Sequence, residues 1–292
     1  MSFTSRLAAA AARGYGLFAA VSRAVDPYFQ YVTALLHGDG TNGAQNNTFL
    51  DSSTNNFTIT RNGNTTQGSF SPFSQKGWSN YFNGSTDYLS LTDSSNALDI
   101  GGAVASIEMW YYPTAQPAYG ILLSKGGGTT NWNTTNGFEY QVSYTSGTFT
   151  VYYNASGVSG NIANTTTSAM NTWYHIVVAT DASNNLSLFI NGTRVATTTA
   201  AITKPTTRTT VRIANDQSGS YPSGYISNMS IIVGSGAYSA TATSITVPTA
   251  PVTAVANTKL LTCQSNRFVD NSSNAFALTV TGTPSVQPIS PF

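Results

Sequence analysis

Glu108 and Glu139 are the only glutamates in the chain, and His37 and His175 the only histidines. Glycosidic hydrolysis by the common route needs two carboxylates about 5–10 Å apart across the scissile bond. Glu108 and Glu139 fall on different predicted strands, and no Glu-x-Asp-x-x-Glu run sets a second acid beside either. Nucleophilic catalysis needs a base next to its Ser, Thr or Cys. His175 sits within an apolar strand close to Trp173, where a hydrogen-bonded structural histidine is expected. His37 precedes Gly38-Asp39-Gly40 in a loop and has no evident partner. Cys263 is the single cysteine, which excludes an intrachain disulfide and a thiolate metal cage. Gly126-Gly127-Gly128 lacks the Lys-Ser/Thr and the helix of a phosphate cradle. The expectation is a protein with no catalytic residues.

Binding chemistry has better candidates. Calcium takes oxygen ligands from loop carboxylates and carbonyls, so Asp87, Asp181 and Asp216, each in a predicted turn, are the candidate Ca²⁺ ligands. The competing reading is that each closes its own turn through side-chain hydrogen bonds. No other cofactor is expected. Sugar rings pack on exposed aromatic side chains beside planar polar groups. Trp132 between Asn131 and Asn133, and Tyr119 and Tyr221 near Gly and Pro, are loop aromatics with no place in the core pattern. They serve equally well as contacts to a neighbouring subunit.

Only 8% of the 292 residues are charged and the formal net charge is +1, which gives no electrostatic reason to bind nucleic acid or an anionic membrane. Hydrophobic residues make up 40% of the chain, with 16 Tyr and 14 Phe, so an ordered, β-rich protein is expected rather than a disordered one. A neutral polar surface suits packing into a larger assembly.

The elements that must position these residues are mostly strands. From Trp173 to Ala196, the run Ile176-Val177-Val178 is followed by Leu186, Leu188 and Ile190 at period two, with Asn184-Asn185 and Asn191-Gly192 as tight turns, which predicts a three-stranded meander. Further strands are expected at Tyr31 to Leu36, Tyr88 to Leu91, Ile107 to Tyr111, Phe138 to Tyr144, Phe149 to Tyr153, Val211 to Ile213 and Tyr225 to Val233. Residues 1–27 differ. Leu7, Ala11, Gly14, Phe18, Val21 and Val25 form one helical stripe, and Asp26-Pro27 ends it. Arg13 and Gly14 interrupt what a secretory signal would need, whereas the Arg-bearing, acid-free pattern also fits a mitochondrial-type presequence. The expected organisation is a helix at 1–27 and one β-sandwich at 28–292. That helix either docks on a partner, with Leu7, Phe18 and Val21 in contact and Arg6 and Arg13 at the rim, or folds back on the sandwich; a homo-oligomer, for instance a trimer, would bury it.

One internal echo stands out. Residues 47–59 match residues 266–278 in hydrophobic phase, each copy follows a Leu-Leu pair (Leu35-Leu36 and Leu260-Leu261), and each precedes a Pro-Phe (Pro72-Phe73 and Pro291-Phe292). Matching ends predict first and last strands that lie side by side and close the sheet.

Ser106 to Tyr112 reads as an apolar-Glu-apolar-Trp strand, Trp173 to Gly192 as a Trp-x-His hairpin ending in Asn-Gly, and Gly224 to Asn228 as Gly-apolar-Ile-x-Asn. Together they resemble laminin G-like jelly rolls of the concanavalin A-like superfamily, from about Tyr31 to Phe292. This implies a mainly β, antiparallel jelly-roll sandwich, loops at one end that in some members bind Ca²⁺ or glycans, and a structural role for Glu108. Residues 37–59 and 258–273 also resemble laminin G-like domains of marine bacteriophage virion proteins. That resemblance implies a protein on the exterior of a virion, at the capsid or the tail, contacting other virion proteins. The alternative is a carbohydrate-binding adhesin that attaches to host-surface glycan.

Overall fold

The computed structural model describes residues 27–36, 49–60, 62, 77–126, 138–204, 209–235 and 238–292. The chain divides into two compact units, Met1–Ser71 and Pro72–Phe292. The expected helix and its contact residues Leu7, Phe18, Val21, Arg6 and Arg13 lie outside the described residues, as does Trp132. Among the described residues there is no α-helix.

The second unit holds fifteen strands: β1 (Ser79–Asn83), β2 (Tyr88–Thr92), β3 (Ala105–Pro113), β4 (Gly120–Gly126), β5 (Phe138–Thr145), β6 (Thr148–Ala155), β7 (Val158–Ala163), β8 (Tyr174–Thr180), β9 (Asn185–Ile190), β10 (Thr193–Thr199), β11 (Thr210–Ile213), β12 (Ser223–Val233), β13 (Thr258–Thr262), β14 (Thr279–Thr281) and β15 (Ser285–Gln287). An eight-stranded sheet runs β10-β9-β8-β3-β12-β1-β15, with β13 also paired to β12, and a seven-stranded sheet runs β14-β2-β11-β4-β5-β6-β7. The pairings are antiparallel, so the unit is a jelly-roll sandwich of two sheets.

Alternation at period two fills the space between the sheets. Ile107, Met109 and Tyr111 of β3 meet Tyr140, Val142 and Tyr144 of β5 and Phe149 of β6 in one core. The ring of Tyr111 lies 5.5 Å from Tyr144 and 6.4 Å from Phe149. Strand β8 is apolar on both faces because the eight-stranded sheet is covered on its outside too: Val177, Ala179, Phe189 and Ala240 are buried together there, against Tyr238, Ala242 and Ile245. A strand with both faces covered loses its alternation.

The predicted meander is β8, β9 and β10. Asn191 (φ 49°) and Gly192 (φ 82°) both adopt left-handed backbone, as a two-residue turn matched to strand twist requires. Gly224 (φ 142°) is needed for a different reason, since a Cβ there would collide with the Tyr112 carbonyl. Four residues on, Asn228 (φ 51°) occupies a bulge of β12. Its Oδ1 accepts Val252 N–H at 2.8 Å and its own N–H donates to the Cys263 carbonyl at 3.1 Å, which pins the 240–256 connection to the sheet.

Among the described residues the first echo segment forms no sheet strand. Strand β13 pairs with β12. Thr33 to Leu36 follow a 3-10 turn at Phe29–Tyr31 and make a single bridge, Leu36 to Asp51, within the first unit; the strand expected at Tyr31 to Leu36 is thus no sheet member. What the echo encodes is a local carboxylate-centred motif, built twice. In the first unit Asp51 accepts Leu35 N–H at 2.8 Å, Ser53 N–H at 2.9 Å, Ser53 Oγ–H at 2.9 Å and Phe57 N–H at 2.9 Å. In the second, Asp270 accepts Leu261 N–H at 2.9 Å, Ser272 N–H at 2.9 Å, Ser272 Oγ–H at 2.8 Å and Phe276 N–H at 2.9 Å. Asn55 Nδ2 donates to the Thr33 carbonyl and Asn274 Nδ2 to the Lys259 carbonyl. Structurally, then, Leu35 corresponds to Leu261 and not to Leu260. The aspartate sets the register, one residue away from the alignment of the Leu-Leu pairs, and a one-residue slip exchanges the two faces of a strand.

Candidate functional site

The charged groups are mostly locked away. Lys125, fully buried, makes ion pairs with Asp93 at 2.7 Å and with Asp99, while Glu139 Oε2 lies 3.8 Å from its ammonium. Glu139 reaches this cluster because a register shift opposite Lys125 and Gly126 makes it the extra residue of a bulge, which re-aims a side chain. Its Oε1 accepts Ile100 N–H at 2.7 Å and Gly101 N–H at 3.0 Å. Burial pushes its ionisation up to about 8, against the pull of Lys125. Two aspartates already balance one ammonium, and a third buried negative charge is unfavourable. Asp93, Asp99, Lys125 and Glu139 are all buried.

Glu108 belongs to a separate cluster. Its Oε1 lies 2.7 Å from His175 Nε2 and accepts the Tyr238 hydroxyl at 2.9 Å. Trp110 packs 5.0 Å from the His175 ring, and Phe292 packs 5.6 Å from Trp110. His175 is fully buried and Glu108 nearly so, with Glu108 as the histidine's hydrogen-bond partner. The Cys263 thiol is buried as well and its ionisation pushed up to about 12, so it is a packing residue.

Each candidate calcium ligand is engaged by donors of its own turn or strand end. Asp87 accepts Asn83 N–H at 3.2 Å and, from the far end of the unit, Thr283 N–H at 2.8 Å. Asp181 accepts Ser183 and Asn185 N–H at 2.9 and 3.0 Å and Asn185 Nδ2–H at 2.8 Å; the Asn185 side chain foremost holds its carboxyl below the ordinary carboxylate value. Asp216 accepts Ser218 and Ser220 N–H at 2.8 and 3.2 Å, and both serine hydroxyls. Among the described residues no three His, Cys, Asp or Glu side chains are grouped to hold a metal ion.

The outer face of the seven-stranded sheet offers a surface of another kind. Directly opposed residues form a polar row across all seven strands: Thr279, Ser90, Arg212, Ser124, Gln141, Tyr152 and Asn161. Their face follows from their neighbours, since Leu89, Leu91, Val211, Ile213, Val142 and Val151 all enter the core. The middle of the row is covered. Ser124 Oγ–H donates to the Asn215 carbonyl at 3.0 Å, and the Tyr119 hydroxyl reaches Gln141 Oε1 at 3.5 Å. Toward β14 the row lies open, where an open groove of about 400 Å³ is lined by Ser90, Leu91, Thr92, Thr210, Ala277 and Thr279.

Arg212 lies directly opposite the groove residue Ser90 but is not among the residues that line the groove. Its guanidinium lies 5.7 Å over the Tyr88 ring, and Tyr221 packs 6.4 Å from the same ring. Tyr119 packs 5.9 Å from Tyr152, and burial foremost, then Tyr152 and Asp216, drives its ionisation well above the usual phenol value. Tyr119 and Tyr221 therefore each pair with a tyrosine of the seven-stranded sheet. Sequence reasoning did not single out Arg212, Tyr88, Ser90, Thr210 or Thr279. The signal for Arg212 was present, a lone cation between two core residues of one strand, whereas the groove is assembled from residues near 90, 210 and 279 and has no local sequence signature. A second open groove of similar volume, lined by Asn164 to Ser168, Tyr174, Ile190 and Val195, lies at the other edge of the sandwich.

The family model that matches this chain, a laminin G-type domain described as the concanavalin A-like lectin/glucanases superfamily, covers residues 83–234. The chain belongs to this superfamily. The match takes in β2 to β12 and both sheets. Among solved structures, domains LG4-5 of the mouse laminin alpha1 chain are 13% identical, with a TM-score of 0.39 over 53% of this chain and 40% of that one. The CBM40 of the Ruminococcus gnavus IT-sialidase, bound to α2,3-sialyllactose, is 16% identical, with a TM-score of 0.43 over 55% and 91%. The heptameric SAP-like pentraxin of Limulus polyphemus is 15% identical, with a TM-score of 0.41 over 57% and 80%. No curated protein matches the chain.

Proposed function

We propose that this concanavalin A-like protein is a non-enzymatic carbohydrate-binding protein and that the groove lined by Ser90, Thr92, Thr210 and Thr279 holds the sugar. The observation that carries the reading is the row of groove hydroxyls from Ser90, Thr92, Thr210 and Thr279, with Tyr88, two residues before Ser90 on the same face of β2, tilted against Tyr221. Hydroxyls exchange hydrogen bonds with sugar hydroxyls, while aromatic rings take the apolar faces of pyranoses. Trp132, in the connection between β4 and β5, is proposed as a further anchor together with Tyr119 and Tyr221. The two glutamates lie in separate buried clusters, which supports the non-enzymatic reading. Binding of the full chain to a glycan array, compared with Tyr88→Ala, tests the proposal. Capture of at least one glycan and its loss in the variant are expected; binding to nothing on the array, or binding unaffected by Tyr88→Ala, would refute it.

The setting is proposed from the likeness of residues 37–59 and 258–273 to bacteriophage virion proteins. The protein would be displayed on the particle exterior, anchored to other virion proteins through residues 1–27 with Leu7, Phe18 and Val21 in the contact, and oligomeric there. Removing residues 1–26 should leave a folded sandwich that no longer co-purifies with particles. Co-purification of the truncated chain at the full-length level would sink this reading.

A further inference from the structure

We infer that Lys125 and Asp99 condense to a side-chain amide, an isopeptide bond inside the sandwich, with Glu139 carrying the protons. Lys125, near the end of β4, and Asp99, in the connection from β2 to β3, are 26 residues apart in the chain and meet side chain to side chain. The ammonium's other close partner, Asp93 at 2.7 Å, is committed to its own turn, where it accepts Ala97 and Leu98 N–H at 2.8 and 2.9 Å. An ionised, turn-closing carboxylate is a poor electrophile. Glu139 is placed for proton transfer. Its Oε1 is held by the N–H groups of Ile100 and Gly101, the two residues that follow Asp99. Its Oε2 is buried, has no hydrogen-bond partner, and lies 3.8 Å from Lys125 Nζ. The surroundings are apolar: Leu98 and Ile100 on either side of Asp99 belong to the core, as does Tyr140 beside Glu139.

Burying three carboxyl groups around one ammonium is unfavourable, and even a matched buried ion pair regains little beyond its desolvation. Condensation removes one charge of each sign from the interior. Because the fold already holds amine and carboxyl in contact, the reaction escapes the entropic cost of bringing them together. Desolvation lowers the Lys125 ionisation, but the carboxylates, Glu139 foremost, outweigh it and hold the ammonium. The reacting form therefore arises by transfer of a proton from Nζ to Asp99, which gives a neutral amine and a carboxylic acid. The Nζ lone pair then adds to Asp99 Cγ. Glu139, which burial keeps protonated at neutral pH, gives its Oε2 proton to the carbonyl oxygen and takes one from the nitrogen. The same carboxyl next protonates a hydroxyl of the tetrahedral intermediate. The C–O bond breaks, water leaves, and the re-forming carbonyl returns the proton. One amide and one water replace one ammonium and one carboxylate, nothing is oxidised or reduced, and Glu139 is restored. Asp99 alone of the four keeps some exposure, 6%, so the water departs on its side. The bond would tie β4 of the seven-stranded sheet to the segment that enters β3 of the eight-stranded sheet.

The test is the mass of the denatured full chain. It should fall short of the sequence mass by one water, and digestion after the aromatic residues between positions 99 and 125 should leave a branched peptide that joins Asp99 to Lys125. Lys125→Arg and Asp99→Ala should each restore the full mass, whereas Asp93→Asn should still yield the branched peptide. Glu139→Gln keeps an acceptor for Ile100 and Gly101 N–H and, followed from refolding, should lose water roughly a hundredfold more slowly. A wild-type chain at its full sequence mass would overturn the assignment. Water lost equally from Lys125→Arg, as a succinimide at Asp39-Gly40 would lose it, or a branch at Asp93, counts against it as well, and equal rates in Glu139→Gln would remove the role of Glu139. The wild-type mass and the branched peptide decide the bond by themselves, so a variant that fails to fold does not leave it open.

Discussion

The Asp51 and Asp270 motifs are built from the same hydrogen bonds but have different surroundings. In the C-terminal copy the strand that carries the motif, β13, pairs with β12, and Leu260 is fully buried in the core with Phe268, Phe276 and Leu278 packed against it. In the N-terminal copy, Ala34 stands at the position of Leu260, Leu36 at that of Thr262, and Phe57 at that of Phe276; Leu36 and Phe57 are each 55% exposed, and Leu50 is 62% exposed. One carboxylate gathering N–H groups from three stretches of chain is thus a self-contained folding motif that needs no sheet. A β-strand forms only where a neighbour supplies a ladder. The backbone donors hold Asp51 well below the ordinary carboxylate range, Leu35 N–H most strongly.

The difference between the copies can be broken most severely at Asp270. Asp270→Ala strands the N–H groups of Leu261, Ser272 and Phe276 without an acceptor, at about 1–3 kcal/mol for a buried one. Urea unfolding of the sandwich should show a loss on the order of 3–5 kcal/mol. Asp51→Ala should leave that transition where it is and abolish amide-exchange protection at Leu35, Ser53 and Phe57; a comparable drop in sandwich stability would show that the copies are not different in role.

Leu260→Ala comes next. It removes a core side chain and should cost about 2–5 kcal/mol. The reciprocal Ala34→Leu, at an exposed position, should change stability by no more than about 0.5 kcal/mol. A large stabilisation from Ala34→Leu would mean that this position is buried in solution.

Glu139 is a buried carboxylate that has no such motif. Glu139 ionises near 8 in the folded chain against an ordinary 4.5. The folded state therefore keeps a proton that the unfolded chain releases. Its contribution is fully present below pH 4.5 and is lost as pH rises through about 8. Melting temperature should fall across that window in the wild type and fall less in Glu139→Gln, which keeps an acceptor for Ile100 and Gly101. Equal slopes would show that Glu139 is ionised throughout.

How much of this was legible in the sequence follows from the range of each interaction. Period-two alternation and the Asn191-Gly192 turn are local, so β3, β5, β6 and the β8–β10 meander were readable, as was membership of the jelly-roll class from the Glu108, His175 and Asn228 motifs. The echo was readable as a pattern, but its meaning was not. Hydrophobic phase aligned the Leu-Leu pairs, whereas the reach of an aspartate across 16 residues in one copy and 9 in the other set the true register. Strand β4, apolar without alternation, carries no periodic signal because its neighbours cover it. The hydroxyl-lined groove of Ser90, Thr92, Thr210 and Thr279 was decided by tertiary structure alone. It joins strands beginning at residues 88, 210 and 279, and pairing between strands so far apart in sequence is fixed by which faces can be buried together, a property of the whole sandwich that no stretch of the chain contains.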